Sequence, residues 1–169
     1  MDFRPQIIAN TDGSCLKNPG GKSGAGVFIQ FPDGTTESLK QGYASSTNQR
    51  CELLALLMAL EFFAARRPIE AAGPSERLQV RSDSLYAVHG LRKHLSAPAG
   101  HLPTANRDLW LRIMPLARAL GPRLTLEWVR GHNGDPGNEK ADQLAGDAAT
   151  YGPWIEDYRE IPGLVDLFA

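Results

Sequence analysis

Residues 24–64 read GAGVFIQFPDGTTESLKQGYASSTNQRCELLALLMALEFFA, and the hydrophobic period changes once inside them. Up to residue 43 the pattern suits two extended segments, 24–31 and 35–43, hinged at Pro32-Asp33-Gly34, a combination that turns a chain back on itself. From Thr47 onward Leu53, Leu56, Leu57, Leu60, Phe63 and Ala64 recur at the three-and-four spacing of a long amphipathic helix. An antiparallel pair that runs directly into a long helix is the start of a layered α/β architecture.

Working outward, residues 6–10 form a buried strand that Asp12-Gly13-Ser14 should stop, and Asn18-Pro19-Gly20-Gly21 reads as the hairpin loop that completes a three-stranded meander. Downstream, Gly73-Pro74-Ser75 lies in a loop, residues 78–82 form a short strand leading into a helix near 84–92, and residues 98–103 loop again. A helix from about Asn106 to Leu120 is ended by Gly121-Pro122, and residues 124–130 make the last strand. Asp135-Pro136 supplies an N-cap with proline at N1, so a final helix should run from 136 to about 150. The order βββαβααβα predicts an α/β fold with a five-stranded mixed sheet, antiparallel at first and parallel later, and helices on both faces. No repeat or linker interrupts it, which gives a domain at 1–150 and a C-terminal extension at 151–169, either a packed tail or a partner-binding peptide.

Composition agrees with one globular domain. The chain has 169 residues, 42% hydrophobic, with 18 Lys+Arg against 19 Asp+Glu. A chain of this length buries roughly 70% of its unfolded surface, so its core needs neither disulfides nor a structural metal. The longest apolar run, Leu53 to Leu60, is eight residues, against the roughly 20 of a spanning helix. Cys15 and Cys51 form neither a CxxC pair nor a zinc-ligand spacing. With no secretory signal visible at the start, the expected compartment is the cytoplasm, with no membrane contact. Charge is uneven: residues 150–169 carry a net of −3 and the rest +2, a mildly basic body with an acidic tail.

Four carboxylates occupy telling positions. If the first and fourth strands are parallel neighbours, Asp12 and Asp83 meet at their carboxyl ends, where α/β proteins place ligands. Glu52 begins the row Glu52, Leu56, Ala59, Phe63, bordering the buried stripe of its helix, and Asp142 neighbours Ala141, Ala145 and Ala148 on the inward side of the last helix. Each alone is ordinarily a cap, a turn residue or a solvated helix residue. Crowded together, four acids call for a hard divalent cation with oxygen ligands, for which Mg2+ is the natural candidate.

The strings around these acids resemble one family. Ile8-Ala9-Asn10-Thr11-Asp12-Gly13-Ser14-Cys15 with Asn18-Pro19-Gly20, then Thr47-Asn48-Gln49-Arg50-Cys51-Glu52-Leu53, then Ser82-Asp83-Ser84, then Trp128-Val129-Arg130-Gly131-His132 and Asn138-Glu139-Lys140-Ala141-Asp142-Gln143-Leu144-Ala145, are similar to type 1 ribonuclease H over most of residues 6–150. That resemblance implies a five-stranded mixed sheet and sequence-independent hydrolysis of the RNA strand of RNA/DNA hybrids. It implies that Asp12, Glu52, Asp83 and Asp142 hold two Mg2+ ions, with Mn2+ as a substitute, and that products carry 5′-phosphate and 3′-hydroxyl ends. His132 matches a mobile histidine that assists proton transfer or product release, and Glu139 an auxiliary acid. Short polar groups and close backbone approach suit the wide minor groove and 2′-hydroxyls of the hybrid, a task for Gly13, Ser14, Cys15, Asn18, Asn48 and Gln49. Thr47 and Asn106 match residues that hold a phosphate of the DNA strand. The family also implies a monomer.

The sequence departs from the family in places. Residues 91–107 hold only Arg92, Lys93 and Arg107 as fixed positive charges and no tryptophan, where many bacterial members carry a basic, tryptophan-rich protrusion. Weaker hybrid binding with a shallower salt dependence follows. Ser45 stands where an arginine is frequent, and Leu85 where a glutamine is common. The end Leu164-Val165-Asp166-Leu167-Phe168 is similar to the acidic-hydrophobic peptides that bind bacterial sliding clamps, without their leading glutamine, which makes a replication-protein contact an expectation for the tail. Two rival functions are a DNA-acting nuclease or integrase of the same fold and a non-catalytic hybrid-binding module.

Overall fold

The computed structural model describes residues 6–66, 76–98 and 100–157. Its strands are β1 (Gln6–Cys15), β2 (Ser23–Gln30), β3 (Thr36–Tyr43), β4 (Arg77–Ser82), β5 (Leu124–Trp128) and β6 (Trp154–Ile155). Its helices are α1 (Asn48–Arg66), α2 (Leu85–Ser96), α3 (Arg107–Leu120) and α4 (Pro136–Tyr151). The loop expected at Gly73-Pro74-Ser75 lies outside the described residues.

The strands form one sheet in the order β5-β4-β1-β2-β3-β6. β1–β2 and β2–β3 are antiparallel, and β1–β4, β4–β5 and β3–β6 are parallel. The meander closes through the expected turn, where the Gly34 N–H donates to the Phe31 carbonyl at 3.0 Å. α4 covers one face, laying Ala141, Ala145 and Ala148 on β1, β2 and β3, while α1 covers the other with α2 and α3 packed beside it. Small side chains let the α4 backbone approach closely. α1 buries more than one stripe: Leu54 and Ala55 are as buried as Leu53, Leu56, Leu57 and Leu60 because α3 packs against the side turned away from the sheet. Burying each such leucine is worth about 1.5–3 kcal/mol, so α1 is the main apolar anchor of the domain.

Three features of the strands differ from the sequence expectation, and α2 runs on to Ser96, four residues past its expected end. β1 does not stop before Asp12-Gly13-Ser14 but runs on to Cys15, paired with β2 as far as Ser23. The turn-forming composition has another cause there: a Cβ on Gly13 would lie 2.5 Å from the Glu52 amide nitrogen and the Cys51 carbonyl carbon, so the glycine lets α1 lie directly on the strand. The sheet has six strands rather than five, since Trp154 and Ile155 pair with Gly42 and Tyr43 at the β3 edge. β5 ends at Trp128, two residues short of the expected end, although the Val129 N–H still donates to the Ser82 carbonyl at 2.9 Å. Among the described residues no helix is long and apolar enough to cross a membrane.

Candidate active site

The parallel register of β1 and β4 sets Thr11 beside Ser82, so Asp12 and Asp83, one residue on, stand side by side at the carboxyl end of the central strands. Asp83 leaves the sheet because Ser84 caps α2, its hydroxyl accepting from the Ala87 N–H at 3.1 Å. Glu52 arrives from α1, which the missing Cβ of Gly13 lets down onto the sheet. One carboxylate oxygen each from Asp12, Glu52 and Asp83 lie within 4.8 Å of one another. Asp142 does not point inward as its alanine neighbours suggested: it is exposed, one step around α4 from the buried row Ala141, Leu144, Ala145 and Ala148, and it lies outside that group of three. From the rim it still reaches Asp12 and acts on Asp83.

Burial and mutual repulsion shape the electrostatics. Desolvation, then the charges of Asp83 and Asp142, push the Asp12 carboxyl up to about 8, against the opposing hydrogen bond with Glu52. Glu52 is also raised, first by burial and then by Asp12, although the Gly13 N–H bonds its charged form. Asp83 is raised by burial and by Asp142, and held back by Asn138 and by the nearby His132. No lysine or arginine stands among the groups that act most strongly on these three acids. One oxygen of Glu52, Oε2, is buried without a hydrogen-bond partner. Oxygen donors held close, mutually destabilised as anions and left with an orphaned lone pair, fit a hard divalent cation.

The other expected residues surround this cluster unevenly. His132 is exposed on the loop before α4 with a left-handed φ of 53° and faces Asp83 electrostatically. Glu139 is exposed in the first turn of α4, outside the cluster. Gly13, Ser14 and Cys15 are half-buried at the end of β1, and Asn48 and Gln49 are exposed at the start of α1. Asn18 joins the two, accepting from the Asn48 N–H at 3.0 Å. Thr47 caps α1, accepting from the Arg50 N–H at 3.2 Å. Asn106 precedes α3 in a left-handed conformation with no side-chain cap, its amide turned instead to Arg50 and Tyr86.

The RNase H family model matches residues 4–150. The chain belongs to the ribonuclease H family. It is 40% identical to the ribonuclease H of an Acidovorax species over 141 residues, 83% of this chain and 92% of that one. It is 38% identical to the ribonuclease H of Escherichia coli strain HS over 153 residues, 90% of this chain and 94% of that one. The structure of LC11-RNase H1 in complex with an RNA/DNA hybrid superposes with a TM-score of 0.64 at 24% identity, covering 83% of this chain and 94% of that one, a likeness of fold.

Some residues of this ribonuclease H site carried no role in the sequence reading. Asn138 is buried beside Asp83, its Nδ2 without a hydrogen bond of ordinary geometry. A Cβ on Gly131 would lie 2.5 Å from Asp83 Oδ2, so this glycine is what allows the carboxylate its place against the loop. Both stand inside the strings that identify the family, and a buried Asn one turn before Asp142 was the available signal. Arg50 is a different case: it is 3% exposed within α1, and its partners lie far along the chain.

Proposed function

We propose that this chain is an endonuclease that hydrolyses the RNA strand of RNA/DNA hybrids by two-metal-ion catalysis, independent of sequence, leaving 5′-phosphate and 3′-hydroxyl ends. The observation that carries the reading is the close meeting of Asp12, Glu52 and Asp83, raised as acids, with no lysine or arginine among the groups that act most strongly on them. These three with Asp142 would hold the ions, Mg2+ with Mn2+ as a substitute. When bound, the cations supply charge neutralisation at the scissile phosphate and activation of water for in-line attack.

The chain's own groups do the rest. Anionic carboxylates alone repel a phosphodiester, so the acids orient and hold the cations, and the neutral groups around them grip the duplex. Backbone at Gly13, Ser14 and Cys15 with Asn18, Asn48 and Gln49 lines the approach to the RNA strand's minor groove. Thr47 and Asn106 take a phosphate of the DNA strand, His132 moves a proton or helps the product leave, and Glu139 assists from the rim. LC11-RNase H1, bound to such a hybrid, supports this substrate. The reading treats residues 1–150 as the catalytic domain and 151–169 as an extension whose first residues, through 157, pack onto the body. It takes the protein to be monomeric and cytoplasmic. The tail peptide at 164–168, read as a replication-protein contact, lies outside the described residues.

A labelled RNA strand paired with DNA tests the proposal, alongside RNA/RNA and DNA/DNA duplexes, with Mg2+ or EDTA. Metal-dependent cutting of the hybrid RNA alone is expected, falling by at least about a thousandfold in Asp12→Asn, because the developing charge then lacks its counter-ion. Cutting of DNA would transfer the protein to the integrase-like class, and hybrid binding without turnover would make it a binding module.

A further inference from the structure

Arg50 sits one turn after Thr47 and two residues before Glu52, and all five of its guanidinium N–H donors are taken. Nε and Nη2 fork onto Asp157 at 2.9 and 2.8 Å. Nη1 and Nη2 fork onto Asp108 at 2.9 and 2.6 Å, and Nη1 also donates to Asn106 Oδ1 at 3.3 Å. Asp157 is fully buried and accepts the Ser46 hydroxyl at 2.5 Å as well. It belongs to the segment after α4, seven residues past the end of the family match at 150. β6 anchors that segment, the Ala44 N–H donating to the Ile155 carbonyl at 2.9 Å.

The polarity of these bonds has a consequence at the surface. A guanidinium only donates, so Asn106 must present Oδ1 to it, which leaves Nδ2 as the donating end of the amide. One Nδ2 hydrogen goes to the Tyr86 hydroxyl at 2.8 Å and the other is spare. Thr47 Oγ1 accepts from the Arg50 backbone N–H, so its own proton is likewise left to donate. Arg50 thereby fixes two donors at the facing starts of α1 and α3, and Asp157 with Asp108 holds Arg50 in the one orientation that does so.

We propose that Asp157 is a positioning residue for the DNA strand of the hybrid: through Arg50 it sets Asn106 and Thr47 as paired donors to one phosphate. The proposal rests on the reading of those two residues as substrate contacts. It makes the segment after α4 part of the substrate-binding apparatus without touching the substrate.

The test uses full-length protein, Asp157→Asn, which keeps the side chain's shape, and Ser46→Ala, which removes the hydroxyl bond to Asp157 and leaves the ion pairs. KM for the hybrid should rise roughly tenfold in the first and about twofold in the second, sizes expected of a lost charged and a lost neutral hydrogen bond. kcat and the Mg2+ concentration for half-maximal rate should not change. Hybrids carrying one methylphosphonate at successive positions of the DNA strand supply the second readout. One position should weaken binding to the wild type and have little further effect in Asp157→Asn. A variant that only melts earlier, with KM and the scan unchanged, overturns the proposal, as does a fall in kcat at constant KM. A sensitive phosphate that keeps its full effect in the variant overturns the coupling alone, whereas a wild-type scan with no sensitive phosphate removes the substrate assignment and the proposal with it.

Discussion

Asp12, Glu52 and Asp83 meet with no lysine or arginine acting strongly on them, while Arg50, two residues from Glu52, has both edges of its guanidinium closed by carboxylates. The two sites share helix α1 and similar burial, yet one leaves its charge uncompensated and the other completes its hydrogen bonds internally. Burying charge costs free energy unless something opposite arrives. In the Arg50 network the folded chain supplies the opposite charge. In the carboxylate cluster no lysine or arginine acts strongly and only the exposed His132 faces Asp83, and the deficit is what a cation would fill. Removing one charged group should therefore have opposite signs in the two places.

The largest effect belongs to Arg50→Ala. It strands Asp157, which has no exposed surface, and Asp108, and should lower stability by about 3–5 kcal/mol in urea unfolding. A loss under about 1 kcal/mol would mean that the network is easily hydrated, and the contrast with the cluster would fail.

Asp12→Asn should act in the other direction. In EDTA at pH 8 the variant is expected to be more stable than the wild type by of order 2 kcal/mol, since it never bears the crowded charge. The folded-state carboxyl of Asp12 is raised to about 8, so its stabilising balance is complete below the ordinary carboxylate range, near pH 4. That balance is lost as pH rises from there through about 8. The metal-free wild type should thus lose stability across that window and the variant should lose less. Mg2+ should stabilise the wild type more than the variant, by mass action on the folded state. Equal slopes with pH, or equal gains from Mg2+, would show that the acids are not electrostatically coupled in solution.

Gly131→Ala probes how finely the uncompensated cluster is set. A methyl group 2.5 Å from Asp83 Oδ2 forces the carboxylate or the loop aside. Misplacements of about 1 Å are costly in preorganised sites, so the Mg2+ concentration for half-maximal rate should rise roughly tenfold. KM for the hybrid should stay near the wild-type value. An unchanged metal requirement would mean that Asp83 has room to spare.

The same contrast explains what could be read from the residues in order. Asp12 and Asp83 were legible because strand pairing is a repeating pattern: once β1 and β4 are parallel neighbours, the residues after Thr11 and Ser82 have to meet. The cap at Asp135-Pro136 and the turn at Pro32-Asp33-Gly34 were legible because their chemistry is local. Arg50 was not, because an arginine inside a helix ordinarily reads as solvated, and its partners Asp108 and Asp157 stand 58 and 107 positions away. β6 was not, since two residues have no period. Gly13 misled because glycine next to Asp and Ser has the composition of a turn, and only the close approach of α1 shows why the side chain is missing. Asp142 stands at the exposed rim of the inward face rather than within it, because a row of alanines marks the buried face without marking its width.

The smallest effect separates local from collective charge. Asp135 accepts from the Asn138 N–H at 3.0 Å and from Arg81 Nη2 at 2.5 Å, and both bonds hold its carboxyl below the ordinary range, the one with Arg81 most strongly. A depressed carboxyl stabilises the fold above the ordinary carboxylate pKa, and that contribution fades as pH falls through the lower folded value. Asp135→Asn keeps a capping oxygen and removes only the charge, so it should cost about 0.5–1 kcal/mol at pH 7. The cost should shrink with added salt and fade only as pH falls below the ordinary carboxylate range, where the wild-type carboxyl in turn takes up its proton. The pair thus shapes the acid limb of the stability profile while the metal-free cluster shapes the alkaline limb, and a variant altering both limbs would show that Asp135 is coupled to Asp83 through Asn138.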